Sequence, residues 1–451
     1  RNGIMVWQDF MFACAMYPGN PEFLENVRQE AADNLIRLRN HPCIALWCGN
    51  NEIGVAWRHN SPGGWGWKQK YSTEEQERIF QAYKDIFHRI LPEAVEKYTD
   101  DMAYWPSSPM SGPGESDFEL LPGTSGDNHY WGVWHGKHRL EAFADNVGRF
   151  VSEYGFQSFP EFETVKKYTV PEDYNIESDV MASHQRSGIG NLRIKEYMSW
   201  YYRVPENFEQ FLYMSQVLQA KAMDIAMRTH RRAMPYCMGS LLWQLNDCWP
   251  VASWSTTDYY HNWKAAHYAV REACKPVIVV PRKNGSQLEL WVVNDRLKKV
   301  KGNCIVELQD FEGNVLNRIQ ADFSAEGNRS VLIDHIGSDR LLKNHPREKT
   351  LAVVTLRNGN KILDEHHVYF TEPQNLDLPA HPRITTRYNE KNGRKFLTVT
   401  TDKLACDVMF YSPGNTVRFS DNYIDLLPDR TYTIELFTDI TDPEIKTRFI
   451  Q

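Results

Sequence analysis

Two short apolar runs in this chain each lead to a glutamate that has a glycine two residues beyond it. The first run, residues 44–48, ends at Gly49, after which two asparagines precede Glu52. The second run leads directly to Glu153. A short apolar run bounded by glycine is typical of a strand buried on both faces, as in a parallel sheet. In a (β/α)8 barrel, the carboxyl ends of such strands carry the catalytic groups. The pattern therefore predicts an α/β fold with Glu52 and Glu153 as candidates for chemistry.

Two glutamates in matched positions are the groups that a two-carboxylate glycosidase requires. One must be a protonated acid, and the other must be an ionised nucleophile. The alternative for each residue alone is a helix N-cap or a structural ion pair. The matched context of Glu52 and Glu153 favours the chemical interpretation over that alternative.

Three motifs resemble those of a known family. Residues 6–12 (VWQDFMF), 47–52 (WCGNNE) and 151–155 (VSEYG) are similar to the retaining β-mannosidases of glycoside hydrolase family 2, and the resemblance covers essentially the whole chain. The Gly-Asn-Glu pattern alone marks the wider family, which includes β-galactosidases and β-glucuronidases. The doubled asparagine and the upstream Trp-Gln-Asp-Phe resemble the mannosidase branch.

Strands and helices alternate along residues 1–275, which predicts a catalytic (β/α)8 TIM-barrel domain. The predicted strands are residues 3–10, 44–48, 102–105, 129–131, 149–153 and 236–246. Helices are predicted from residue 21 and from residue 72, where Ser72 and Glu75 have the spacing of a capping box. The resemblance implies that the six strands are strands three to eight of the barrel. We expect the first two strands and the family's N-terminal β-domains in another segment of the same protein.

The pattern changes to all-β after residue 275. Alternating apolar runs and turn signals, such as the Arg-Asn-Gly-Asn sequence at 357–360, predict hairpins. We predict an immunoglobulin-like β-sandwich over residues 276–372 and a C-terminal immunoglobulin-like β-domain over residues 383–451. Residues 373–382 contain three prolines and are predicted to be a linker.

Charge and cysteine spacing exclude several classes of function. A net charge of −7 argues against a nucleic-acid partner, which needs a basic face. No run approaches the roughly 18–20 apolar residues that span a bilayer. The cysteines lack Cys-x-x-Cys spacing, and His129, His135 and His138 match no strong ligand motif, so no metal or other cofactor is expected. His129 is expected to be solvated, and Cys14, inside an apolar run, is expected to be buried.

The resemblance implies a role for several residues around the two glutamates. Glu52 would be the general acid/base, and Glu153 would attack the anomeric carbon to form a glycosyl-enzyme. Glu153 needs hydrogen-bond donors to stay ionised, and Tyr130 or Tyr154 could supply one. Asn51 would bond the sugar 2-hydroxyl, which is axial in a mannoside, and a turn position is its alternative role.

Four further residues are candidates for substrate binding. Asp9 closes its predicted strand as the glutamates do, and it either binds hydroxyl groups or forms an ion pair. Trp243 lies inside the last predicted strand, as the pocket floor or as part of the barrel core. Trp57 and Trp131 either form a wall of the sugar pocket or pack in the ordinary way.

These features favour a retaining exo-β-mannosidase that removes terminal non-reducing β-D-mannose residues from a small carbohydrate substrate. One alternative is another family 2 glycosidase, such as a β-galactosidase or an exo-β-glucosaminidase. A second is a non-catalytic carbohydrate-binding relative. The resemblance also implies a periplasmic, secreted or lysosomal-type compartment, and neither a nucleic acid nor a membrane is expected as a partner.

Overall fold

The computed structural model describes residues 3–58, 65–112 and 125–450 of the chain. The chain divides into two compact units. The first spans Arg1–Tyr130 and Asn146–Glu153, and the second spans Trp131–Asp145 and Tyr154–Gln451. Among the described helices, none has the length and apolar character needed to cross a bilayer.

Parallel strands characterise the first unit. Its strands are β1 (Val6–Asp9), β2 (Ile44–Cys48), β3 (Tyr104–Trp105), β4 (Asn128–His129) and β5 (Val151–Glu153). The order β1-β2-β3 forms one parallel sheet, and β4 and β5 form a separate parallel pair. The helices are α1 (Pro21–Leu38), α2 (Ile53–Arg58), α3 (Thr73–Lys84) and α4 (Leu91–Tyr98), with a π-helical turn at Asp85–Ile90. Because paired strands are parallel, their carboxyl ends meet at one edge of each sheet.

The first helix buries an apolar stripe against this sheet. Its buried residues Val27, Ala31 and Leu35 are four positions apart, so they lie on one face of α1. They share one core with Phe10, which follows β1, and with Trp47 of β2. Burial of each large side chain contributes about 1.5–3 kcal/mol of stability, and this packing fixes the strands whose ends carry the polar residues.

The second unit begins with helices and irregular segments. The helices are α5 (Phe162–Val165), α6 (Asp179–Ser183), α7 (Gly190–Tyr201), α8 (Phe208–Arg232) and α9 (Ala265–Ala273). The sequence predicts a buried strand over residues 236–246, between α8 and α9. That prediction is wrong, because no regular strand forms there.

Backbone pairing explains the irregular path of residues 236–246. Trp243 N donates a hydrogen bond to Tyr154 O at 2.8 Å, whereas Gln244 N donates to Trp254 O at 3.2 Å. Consecutive residues therefore bond to different segments, and no ladder continues along the run. The Trp243 side chain is 43% exposed, so its predicted place in a buried strand and the barrel-core alternative are both wrong.

Antiparallel β-structure follows α9, so the β-sandwich strands predicted for the C-terminal part of the chain are present. The first group of strands is β6 (Val277–Asn284), β7 (Gln287–Asn294), β8 (Val300–Asp310), β9 (Val315–Ala325), β10 (Arg329–Gly337), β11 (Thr350–Asn358) and β12 (Lys361–Tyr369). They form two sheets, β10-β7-β6 and β12-β11-β8-β9. Side chains from both sheets, such as Val292 and Val354, share one core, which is the arrangement of a β-sandwich.

A second group of strands forms a smaller sandwich. These strands are β13 (Ile384–Lys391), β14 (Arg394–Thr401), β15 (Ala405–Tyr411), β16 (Arg418–Phe419), β17 (Ile424–Leu426), β18 (Tyr432–Phe437) and β19 (Lys446–Arg448). They form the sheets β13-β14-β18-β16 and β17-β15-β19. Val399 and Phe410, one from each sheet, lie in their common core.

Candidate active site

Glu52 lies in a turn between β2 and α2 that Asn50 stabilises. The buried Asn50 Oδ1 accepts hydrogen bonds from Ile53 N at 3.1 Å and from the Ser107 hydroxyl at 2.8 Å. Glu52 has a positive φ of 60°, and its N–H donates to Ser108 O at 2.7 Å. A non-glycine residue in this region is uncommon and is found preferentially at functional turns. Glu52 occupies the N-cap position of α2 through its C=O, which accepts from Ala56 N at 3.0 Å, but Asn50 supplies the side-chain bond to the first turn and the Glu52 carboxylate contacts His129 instead.

Glu153 is the last residue of β5, and it pairs with His129 of β4 in the parallel register. His129 Nδ1 lies 2.9 Å from Glu52 Oε1 and 3.8 Å from Glu153 Oε2. A ring nitrogen of His129 and one carboxylate oxygen of each glutamate all lie within 4.8 Å of one another. The structure therefore brings Glu52 and Glu153 to one point, with His129 next to both.

The separation of the two carboxyl groups bears on the stereochemical course of a glycosidase. Retaining enzymes hold the two groups about 5–5.5 Å apart, and inverting enzymes hold them about 6.5–9.5 Å apart to admit a water molecule. Here an oxygen of Glu52 and an oxygen of Glu153 lie within 4.8 Å of each other. These two oxygens are therefore close enough to contact the same bound group.

His129 is buried rather than solvated, so the expectation from the sequence is wrong. Its side chain is only 4% exposed, and Nε2 lies 2.9 Å from Ser108 Oγ. Burial disfavours the charged ring, but the hydrogen bond to Glu52 and the charges of Glu153, Glu52 and Asp127 outweigh it and raise the pKa of His129 above its usual value. The feature of the sequence that could have indicated a functional role for His129 is its position at the end of a strand, which Glu153 shares.

One nitrogen and two oxygens this close together also raise the question of a metal ion. A tetrahedral zinc ion binds such atoms at about 2.0–2.2 Å, which places neighbouring ligand atoms about 3.4 Å apart. His129 Nδ1 and Glu52 Oε1 are closer than this, at a hydrogen-bond distance of 2.9 Å. We therefore interpret Glu52, His129 and Glu153 as a hydrogen-bonded group that carries protons.

Asp9 closes β1 and lies in the same unit as the two glutamates. Its Oδ1 accepts a hydrogen bond from Trp7 Nε1 at 2.8 Å. Burial raises the pKa of Asp9, while the bond from Trp7 opposes that shift. Within the described part of the chain, Asp9 forms no ion pair, so its alternative role as a structural ion pair is not supported.

Asn51 and Cys14 lie beside Glu52. Asn51 N donates to Phe12 O at 2.9 Å, and Asn51 O accepts from Cys14 N at 3.0 Å, so the loop after β1 fixes the Asn51 backbone. The Cys14 thiol is exposed, and the expectation that it is buried is therefore wrong. It lies beyond the apolar run that packs α1 and belongs to the loop that faces Glu52.

Each of the two tyrosines considered as donors to Glu153 has a hydrogen-bond contact at its hydroxyl, and the Tyr130 hydroxyl, which accepts there, can still donate its own hydrogen. The Tyr130 hydroxyl accepts from Asn146 Nδ2 at 3.1 Å, and the Tyr154 hydroxyl lies 2.9 Å from Ser240 Oγ. Burial raises the pKa of Tyr154, so its phenol keeps its proton. Tyr130 N also donates to Glu153 O at 2.9 Å, and this bond fixes the Glu153 backbone.

The tryptophans differ in their surroundings. Trp57 is buried in α2, and its ring centroid lies 6.5 Å from that of Tyr71, so ordinary packing describes it. Trp131 belongs to the second unit, where its ring meets His135 at 5.1 Å and Trp254 at 6.1 Å.

Two known protein families match the two β-sandwiches of the chain. Residues 286–375 match the family model of a Mannosidase Ig/CBM-like domain, and residues 380–450 match that of an Ig-fold domain. The chain is 33% identical to β-mannosidase B of Aspergillus clavatus over 453 residues, which are 94% of this chain and 52% of that protein. It is 32% identical to β-mannosidase B of Emericella nidulans, over 99% of this chain and 54% of that protein.

Solved structures agree with these relatives. The β-D-mannosidase of Dictyoglomus thermophilum superposes with a TM-score of 0.84 at 31% identity, over 99% of this chain and 53% of that one. An exo-chitosanase of Amycolatopsis orientalis, with a TM-score of 0.67 at 15% identity, shares the fold alone.

Paired carboxylates at the ends of parallel strands, followed by two β-sandwiches, are the arrangement of a glycoside hydrolase. The chain belongs to the β-mannosidase branch of glycoside hydrolase family 2, as the motifs in its sequence indicate. It spans about half the length of the curated relatives it matches.

Proposed function

We propose that this chain carries the catalytic residues of a retaining exo-β-mannosidase, which hydrolyses terminal non-reducing β-D-mannose residues by double displacement. The observation that carries the proposal is the approach of Glu52, which follows β2, and Glu153, which ends β5, to within 4.8 Å. The names of the relatives, β-mannosidases at 31–33% identity, support mannose as the sugar.

The first displacement forms a glycosyl-enzyme. A carboxylate oxygen of Glu153 attacks the anomeric carbon while the bond from that carbon to the leaving oxygen breaks. Glu52 gives its proton to the leaving oxygen and becomes a carboxylate. The sugar is then an ester of Glu153, and the negative charge has moved from Glu153 to Glu52.

The second displacement reverses these roles. Glu52 takes a proton from a water molecule, whose oxygen attacks the anomeric carbon and displaces Glu153 as a carboxylate. Two inversions at one carbon give a product with retained β-configuration. The close spacing of the carboxyl groups supports this course over the inverting one, which needs room for water between acid and base.

Mannose recognition is assigned to Asn51 and Asp9. Asn51 is next to the acid in the chain, and its amide could meet the axial 2-hydroxyl of a mannoside. Asp9 closes the neighbouring strand and has acceptor capacity beyond its bond from Trp7, so it could accept from a sugar hydroxyl. A site built to bond a hydroxyl discriminates strongly against sugars that place it elsewhere.

We further propose that β1 to β5 are consecutive strands of a (β/α)8 barrel. Their parallel pairing and the polar residues at their carboxyl ends support this. The relatives are about twice as long as this chain, and the rest of such a protein is proposed to complete the barrel.

A panel of 4-nitrophenyl glycosides tests the function. The protein that contains this chain is assayed with the β-mannoside, β-galactoside, β-glucuronide and β-glucosaminide, and the first-formed anomer is followed by proton NMR. We expect hydrolysis of the β-mannoside with retention. Glu153→Gln should abolish it, whereas Glu30→Gln, which changes an exposed glutamate of α1, should leave it intact. Inversion, or preference for another sugar, would refute the proposal.

A further inference from the structure

The hydrogen bonds that Asp127 accepts indicate which way the Ser108 hydroxyl donates beside His129. Asp127 Oδ1 accepts from Trp105 Nε1 at 2.9 Å and from Met110 N at 3.0 Å. Asp127 Oδ2 accepts from the hydroxyls of Ser108 and Ser152, each at 2.6 Å. These four bonds fill the acceptor sites of one ionised carboxylate. The Ser108 hydroxyl therefore donates its hydrogen bond to Asp127.

The Ser108 oxygen is consequently an acceptor toward His129. His129 Nε2 lies 2.9 Å from that oxygen, so Nε2 carries a proton and donates it. On the other side of the ring, Nδ1 faces Glu52 Oε1 at 2.9 Å and Glu153 Oε2 at 3.8 Å. A proton of Glu52 directed at Nδ1 would point away from a leaving group. With acceptors on both sides, the ring carries two protons and one positive charge.

Negative charge surrounds this ring on each element packed against it. Glu52 follows β2, Glu153 closes β5 and Asp127 precedes β4, and all three favour the charged ring. The charge of Asp9, at the end of β1, also favours the charged ring of His129. The thiol of Cys14, on the loop after β1, lies next to Glu52 Oε2, whereas His129 contacts Glu52 Oε1.

We propose that His129 is a positioning residue that stays protonated through both displacements and serves as a counter-charge shared by Glu52 and Glu153. This inference rests on the proposed double displacement. In that reaction the negative charge is on Glu153 in the free enzyme and on Glu52 in the glycosyl-enzyme. His129 lies beside both carboxyl groups, so one fixed cation pairs with whichever of them is ionised.

The position of His129 also assigns separate tasks to the two oxygens of Glu52. Oε1 is held by His129 Nδ1, whereas Oε2 points toward the exposed side, 3.8 Å from Cys14 Sγ. Oε2 is therefore the oxygen that gives the proton to the leaving group and takes it back from water. His129 itself neither gains nor loses a proton during the cycle.

The variant His129→Asn tests the shared charge. The asparagine amide can still donate near the position of Nδ1, but it carries no charge. Loss of the cation favours the protonated form of both carboxyl groups. We expect both limbs of the profile of kcat/KM against pH for 4-nitrophenyl β-mannoside to move to higher pH by about one unit. The control His41→Asn, at an exposed position after α1, should leave both limbs in place.

Each outcome decides between distinct conclusions. A wild-type protein inactive on the β-mannoside would overturn the proposed function itself. An active wild type whose His129→Asn variant keeps both limbs at the wild-type pH would overturn the shared counter-charge and indicate a structural role. If that variant fails to fold, ¹⁵N-histidine NMR of the wild type decides, since His129 must show two protonated ring nitrogens at pH 6, and a neutral ring there would refute the inference.

Discussion

The thiol of Cys14 lies beside the carboxyl group of Glu52, with 3.8 Å between Sγ and Oε2. Cys14 adopts a positive φ of 49° in the loop after β1, and Asn51 Nδ2 lies 3.9 Å from the same sulfur. The thiol is exposed. A group attached to this sulfur would therefore occupy the space in front of the proposed acid/base.

Alkylation of Cys14 by iodoacetamide is expected to inactivate the enzyme slowly at neutral pH and faster as the pH rises. Although the residue is exposed, its surroundings partly desolvate the sulfur, and this desolvation, followed by the negative charges of Glu52 and Glu153, raises the pKa of Cys14 to about 11. The thiolate is the reacting form. Activity remaining after timed exposure at pH 7 to 10 measures the rate. Cys14→Ser should resist, and Cys274→Ser, which removes another exposed thiol, should not. Equal sensitivity of both variants would contradict the prediction.

Glu52→Gln is expected to show a strong dependence on the leaving group. A 2,4-dinitrophenolate needs no proton to depart, whereas the hydroxyl of a sugar does, and general acid catalysis contributes about 10²–10⁴-fold. Single-turnover rates with 2,4-dinitrophenyl β-mannoside and mannobiose measure the difference. In Glu153→Gln both substrates should fail alike, because the attacking group is lost. A uniform loss in Glu52→Gln would contradict its role as the acid.

The sequence could predict features that depend on neighbouring residues in the chain. Ser72 and Glu75 form the predicted capping box, with Ser72 N donating to Glu75 Oε2 at 2.8 Å and Glu75 N to Ser72 Oγ at 3.3 Å. The strand-end positions of Glu52 and Glu153 also follow from local apolar runs ended by polar residues. Each of these features needs only short-range information.

Features that depend on distant segments could not be predicted in the same way. The apolar run at residues 236–246 has the composition of a strand, but a strand also needs a partner that continues alongside it. The His129 ring can be buried because Ser108 and Glu52, which are distant in the chain, supply hydrogen-bond partners for its two nitrogens. Composition near His129 indicates a polar loop and carries no information about those partners.

Asn51→Ala is expected to weaken catalysis on the β-mannoside by about 10²-fold, because a lost bond to the 2-hydroxyl costs about 2–3 kcal/mol when the partner is buried. The same variant should lose little on 4-nitrophenyl 2-deoxy-β-glycoside, which lacks that hydroxyl. Values of kcat/KM for both substrates in wild type and variant form a double-mutant cycle. Equal losses on the two substrates would assign Asn51 to the turn instead.

The smaller sandwich meets the larger one at His367 of β12, where a buried charge predicts how stability changes with pH. His367 Nδ1 lies 3.0 Å from Asp425 Oδ2, and Nε2 lies 3.4 Å from Glu365 Oε1. Burial disfavours the charged ring, but the hydrogen bonds to Asp425 and Glu365 outweigh it and raise the pKa of His367 to about 9. The stabilisation is therefore fully present below pH 6.5 and is lost as the pH rises through about 9.

The difference in pKa corresponds to about 3 kcal/mol. Urea unfolding of wild type and His367→Gln between pH 6 and 10 measures it, and the gap between the two proteins should shrink by about that amount across the range. Lys264, whose pKa is lowered to about 8, titrates in both proteins, so its contribution cancels in the comparison. Asp407, whose pKa burial and the charge of Asp425 raise to about 8, interacts with His367, so the measured gap reports these two groups together. His335→Gln, an exposed control on β10, should follow the wild type. A gap that stays constant from pH 6 to 10 would mean that His367 is not charged in the folded protein.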